Sequence, residues 1–156
     1  ATMNVLDKHI NALEKGLTTA SAKQTEQIAC ALAPLIPVNQ VLAFHGELGV
    51  GKTTFVRALA KSWGIKEHLT SPTYNLFKIY QSSSRCLIHL DAYRLEKGAK
   101  FEDLMVDDFL HDPWCLAIEW PEKIEESIPF DTWHLYLTIE ENTHHHIRLA
   151  RSQSTN

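Results

Sequence analysis

Leu6, Ile10, Leu13 and Leu17 recur three or four residues apart among polar positions, the spacing that lines one face of a helix. A second helical pattern runs from about Lys23 to Ala33 and is closed by Pro34 and Pro37. Val41 to Phe44 is a continuous apolar run between Asn39 and Gly46, which predicts a strand buried on both faces. From Lys52 the helical period returns, with Phe55, Leu59 and Trp63 every four residues and Gly64 placed to end the helix. Tyr74 to Tyr80 and Cys86 to Leu90 read as strands joined by the polar turn Gln81 to Arg85. An acidic stretch from about Phe101 to Leu110 is predicted helical, and Trp114 to Ile118 is another buried strand. Trp133 to Ile139 and His145 to Leu149 alternate as a second hairpin around Glu141 to Thr143. The expected organisation is one domain over residues 1–156, with a helical extension at 1–20 and a polar tail at 151–156.

Composition narrows the class without naming a function. A chain of 156 residues with 44% hydrophobic and 22% charged residues can bury a core for one domain. Fifteen Lys and Arg against nineteen Asp and Glu give a charge of -4, and the basic residues are scattered. Phosphate-backbone affinity rests on clustered cations, so stable binding of nucleic acid by this chain alone is not expected. Cys30, Cys86 and Cys115 lie in apolar stretches and are odd in number, which predicts buried free thiols and a cytoplasmic setting. The first residues are charged where a signal peptide needs an apolar core, and no window reaches transmembrane length, so no membrane association is expected.

Gly46, Glu47, Leu48, Gly49, Val50, Gly51, Lys52 and Thr53 match GxxxxGK[ST] between a predicted strand and a predicted helix. Glycines there allow the backbone to wrap phosphates, whose charge is met by convergent N–H groups and the helix N-terminus. In this pattern Lys52 reaches the β and γ phosphates and the Thr53 hydroxyl ligates Mg²⁺. The expected ligands are therefore ATP or ADP with Mg²⁺. A guanine-reading [NT]KxD segment does not occur, which favours ATP over GTP.

Such a loop needs an acidic partner at the carboxyl end of a neighbouring strand. Leu87 to Leu90 runs into Asp91, and Leu116 to Ile118 runs into Glu119, so both are catalytic candidates: one to orient the metal, the other to position or deprotonate water. The alternative for each is a strand-end carboxylate that caps a helix or pairs with a cation such as Arg94. Ser71, Pro72, Thr73 and Tyr74 occupy the interval where many P-loop proteins sense the γ-phosphate, although Ser71-Pro72 also reads as a plain turn. Trp120 follows Glu119 as core or as an aromatic wall. His144, His145 and His146 alternate on a hairpin and complete no metal site, and His45 and His89 read as strand residues.

Four blocks, GELGVGKTTFVRAL at 46–59, SPTYNL at 71–76, HLDAYRL at 89–95 and AIEWPEKI at 117–124, stand in the order found in the TsaE (YjeE) family, which the chain resembles from about Thr25 to Ile139. The resemblance implies an α/β, P-loop NTPase-like fold: a mainly parallel central sheet with added antiparallel hairpins and flanking helices. It implies a P-loop ATPase that assists TsaB and TsaD in forming threonylcarbamoyladenosine at position 37 of tRNAs reading codons that start with adenine. It further implies phosphate binding by Gly49, Val50, Gly51, Lys52, Thr53 and Thr54, metal at Thr53 and Glu119, a second important acid at Asp91, a switch at Ser71 to Tyr74, and a functional Trp120. His89 inside an apolar strand is a local departure. A small-molecule kinase and a non-hydrolytic ATP-dependent binding module are the alternatives left open.

Overall fold

The computed structural model describes residues 5–47, 49–70, 76–96 and 98–151. Helix α1 (Val5–Lys15) buries Ile10 and Leu13 and stops at Gly16, which takes a φ of 106°. Leu17, expected on the helix face, instead opens strand β1 (Leu17–Thr19), because the left-handed turn at Gly16 ends the helix and Leu17 pairs with Ile147 of the last strand. Helix α2 (Ala22–Leu32) starts where Ser21 Oγ accepts from Gln24 N at 3.2 Å and Gln24 Oε1 accepts from Ala20 N at 2.6 Å, a reciprocal cap.

Strand β2 (Gln40–His45) leads into helix α3 (Lys52–Ser62), and Gly64 closes that helix as its sequence position suggests. Strands β3 (Phe77–Gln81) and β4 (Cys86–Asp91) form the first hairpin, followed by β5 (Trp114–Glu119), then β6 (Trp133–Ile139) and β7 (His145–Arg151) as the second. The sheet order is β1-β7-β6-β2-β5-β4-β3. β6, β2, β5 and β4 run parallel at the centre, and β1, β7 and β3 are added antiparallel. β2, β4 and β5 are almost wholly buried, as parallel strands covered on both faces must be.

The described α-helices pack on one face, where Phe44 and Phe55 meet with ring centroids 5.7 Å apart. Irregular chain covers the other face. The acidic segment predicted as a helix is two 3-10 turns, Phe101–Leu104 and Val106–Phe109, separated by Met105 at a φ of 56°. Phe101, Leu104 and Leu110 pack on Ile88, Leu116 and Ile118 from this segment, and their three- and six-residue spacings suit a 3-10 period better than 3.6.

Cys86 and Cys115 are buried free thiols, and burial pushes the Cys115 thiol up to about 12. Cys30 is exposed, contrary to the expectation, because α2 turns Thr25, Ala29 and Leu32 inward and leaves position 30 on the outer side. No helix among the described residues is long and apolar enough to cross a membrane.

Candidate phosphate and metal site

Parallel pairing brings the carboxyl ends of β2, β5 and β4 to one edge of the sheet, with Phe44 opposite Glu119 and Glu119 opposite Asp91. The chain leaves β2 there through Gly46. Its φ is 147°, and a Cβ at this position would lie 2.4 Å from the Leu137 carbonyl oxygen and 2.7 Å from Val50 Cγ2, so only glycine lets the loop pass the end of β6. Gly49 and Gly51 also have positive φ, but a Cβ on either would meet nothing within 4 Å. The loop is thus tight on its protein side and open on the other. Gly51 caps α3 without a side-chain hydrogen bond, leaving the first N–H groups of that helix directed at the open side.

Lys52 is the first residue of α3 and only 4% exposed. Its Nζ donates to the Gly46 carbonyl at 2.7 Å and stands 3.5 Å from the centre of the Trp120 ring. Burial lowers its pKa, and Glu119, Glu122, Asp91 and Glu47 partly restore it. Trp120 is held there by a left-handed backbone at φ 58° and packs its other neighbour, Tyr93, at 5.0 Å.

Glu119 ends β5 and is 4% exposed. Its Oε2 accepts from Thr53 Oγ1 at 3.0 Å and from His89 Nε2. Burial alone raises this carboxyl, but the hydrogen bond and charge of His89, the bond from Thr53 and the charge of Lys52 outweigh it, so the group sits below the ordinary range. Asp91 is half-buried beside it, and its Oδ1 accepts from Tyr93 N at 2.9 Å. Thr54 is half-buried on α3, Glu47 is exposed on the loop, and Val50 is buried under it.

The structure therefore gathers Lys52, Thr53, Asp91, Glu119 and Trp120 around one loop. Leu48 and the segment Ser71, Pro72, Thr73 and Tyr74 lie outside the described residues. Two histidines at the site were read from the sequence as ordinary strand or hairpin residues. His89 is two positions before Asp91 and so shares its face, the one signal that pointed to it. His145 comes from the second hairpin and donates from Nδ1 to the Val50 carbonyl at 3.1 Å, bracing the loop from the side.

Behind the loop, His45 Nε2 and His134 Nδ1 are 2.8 Å apart, and the His45 ring stacks on Tyr136 at 4.4 Å. Burial, then His134, then Lys52 push His45 down to about 4, and burial lowers His134 as well. A folded-state value below the unfolded one means that the unfolded chain takes the proton first. Stability from this pair is complete above the ordinary histidine value of 6.5 and is lost as pH falls from there towards 4. Lowering pH from 7.5 to 5 is expected to remove roughly 1 kcal/mol through His45, discounted for its partial exposure. His45→Phe, which keeps the stack on Tyr136, should flatten that dependence in urea midpoints.

A parallel-centred sheet whose central strand passes through a glycine loop into a buried-lysine helix defines the P-loop NTPase-like class. A family model described as "Threonylcarbamoyl adenosine biosynthesis protein TsaE" matches residues 19–150, and the chain belongs to the TsaE family. It is 36% identical over 111 residues to the TsaE protein of Bacillus subtilis, covering 71% of this chain and 69% of that protein. To the TsaE protein of Treponema pallidum it is 31% identical over 130 residues, covering 83% and 96%. Among solved structures, Bacillus subtilis YdiB superposes with a TM-score of 0.72 at 25% identity, over 88% of this chain and 85% of that one.

Proposed function

We propose that this protein is a magnesium-dependent ATPase that supports a TsaB–TsaD pair in forming threonylcarbamoyladenosine at position 37 of tRNAs reading codons that start with adenine. The observation that carries the reading is the convergence of Lys52, Thr53 and Glu119 at the uncapped start of α3. A hydroxyl and a carboxylate 3.0 Å apart are the hard oxygen donors that Mg²⁺ selects, and Gly49 and Gly51 leave the space a triphosphate fills. Thr53 and Glu119 would hold the ion, which when bound neutralises phosphate charge. Lys52 exchanges the Gly46 carbonyl for phosphate oxygens, a stronger charge-assisted contact. Asp91, on the face of Glu119 and more accessible, orients or deprotonates the attacking water.

The family places this chain in threonylcarbamoyladenosine biosynthesis. The partners TsaB and TsaD follow from the sequence resemblance, and the -4 charge accords with reaching tRNA through them rather than alone. Free thiols at Cys86 and Cys115 accord with a reducing cytoplasm. The test is steady-state ATP turnover with Mg²⁺, first alone and then with purified TsaB and TsaD. Slow turnover that rises on their addition is expected. Nucleotide binding with no turnover under either condition would replace the ATPase with a binding module.

A further inference from the structure

We propose that His89 is the positioning residue of Glu119, a rigid donor that holds the carboxylate where it can share a divalent cation with Thr53. This inference deepens the metal-dependent reading above and rests on it. His89 is fully buried in β4, between Ile88 and Leu90 and two residues after Leu87, all aliphatic. A position that served packing alone would be filled by another aliphatic side chain, because an imidazole there must be stripped of water at both nitrogens. Nε2 recovers one partner, Glu119. Nδ1 has none among the described residues, and a buried unmet nitrogen costs stability. The ring is therefore placed for the carboxylate at the expense of the core.

The geometry explains what the carboxylate gains. Glu119 Oε2 is held from two sides, by Thr53 on α3 and by His89 on β4. The Thr53 hydroxyl can rotate about its own bond and is itself a candidate ligand. His89 cannot turn away, since its ring is closed in on every side at 0% exposure. A carboxylate oxygen only accepts, so Nε2 carries the hydrogen, and a carboxylate fixed in this way meets a cation without first losing side-chain freedom.

Purified wild type, His89→Leu and His89→Gln are titrated with ADP by calorimetry, in Mg²⁺ and in EDTA. Wild type is expected to bind more tightly in Mg²⁺. His89→Leu should lose about tenfold of that gain, the low end for removing a partner behind a metal ligand, with its affinity in EDTA unchanged. His89→Gln, which keeps an N–H donor, should retain more of the gain than His89→Leu. Imidazole ¹⁵N spectra of the nucleotide-free protein should show the His89 proton on Nε2 and a shifted resonance in Glu119→Gln. If His89→Leu keeps the full magnesium gain, or if Nε2 carries no proton, the inference is overturned. If His89→Leu does not fold, the glutamine variant and the spectra decide. Loss of the magnesium gain in wild type itself would instead overturn the metal-dependent reading, which separates the two failures.

Discussion

Lys52→Ala is expected to abolish nucleotide binding in a calorimetric titration with ADP and Mg²⁺. Lys52 is 4% exposed, and in the folded protein its ammonium is met by the Trp120 ring and the Gly46 carbonyl, which offset part of its desolvation. Transfer to phosphate then exchanges a single neutral acceptor for ionised oxygens, each such contact adding about 1.5–3 kcal/mol. Two of them correspond to an affinity loss of roughly 100-fold or more when the side chain is removed. The same replacement leaves Glu119, Asp91, Glu122 and Glu47 without the cation they surround. Circular dichroism is therefore recorded beside the titration, and unchanged affinity in a folded variant would remove Lys52 from the phosphate site.

The parts of this site that were legible in the sequence are those whose cause is local. A buried apolar run, the glycine pattern from Gly46 to Gly51, and a helical period beginning at Lys52 define strand, loop and helix without distant contacts. Asp91 and Glu119 were legible because each ends an apolar run, and parallel pairing then sets them opposite one another. What was misread depends on partners far along the chain or on competition between periods. Leu17 continues the spacing of α1, yet it pairs with Ile147, 130 positions later, once Gly16 turns the chain. Phe101 to Leu110 carries apolar residues that satisfy a helix or a 3-10 turn, and packing on the sheet selects the second. His89 was hidden because a strand buried on both faces has no polar side against which a histidine stands out. The proposed switch from Ser71 to Tyr74 lies outside the described residues and stays a reading of sequence.

Glu119→Gln separates binding from hydrolysis more cleanly than any change in the loop. The amide keeps the length of the side chain and offers one carbonyl oxygen to Thr53 Oγ1 and His89 Nε2, so the strand end and the start of α3 retain a common acceptor. The negative charge is lost, and with it the only buried carboxylate that touches Thr53 among the described residues. Affinity for ADP in EDTA is expected to stay within about threefold of wild type, because no phosphate contact has been removed. ATP turnover in Mg²⁺ with TsaB and TsaD is expected to fall by at least about 100-fold, since ion placement and neutralisation of the reacting phosphate both depend on that charge. Asp91 does not compensate. Its Oδ1 already accepts from Tyr93 N, whereas the Thr53 hydroxyl reaches Glu119. A Glu119→Gln protein that binds ATP and still turns it over at the wild-type rate would end the hydrolytic reading, and full tRNA modification by a variant without turnover would show that ATP acts here through binding alone.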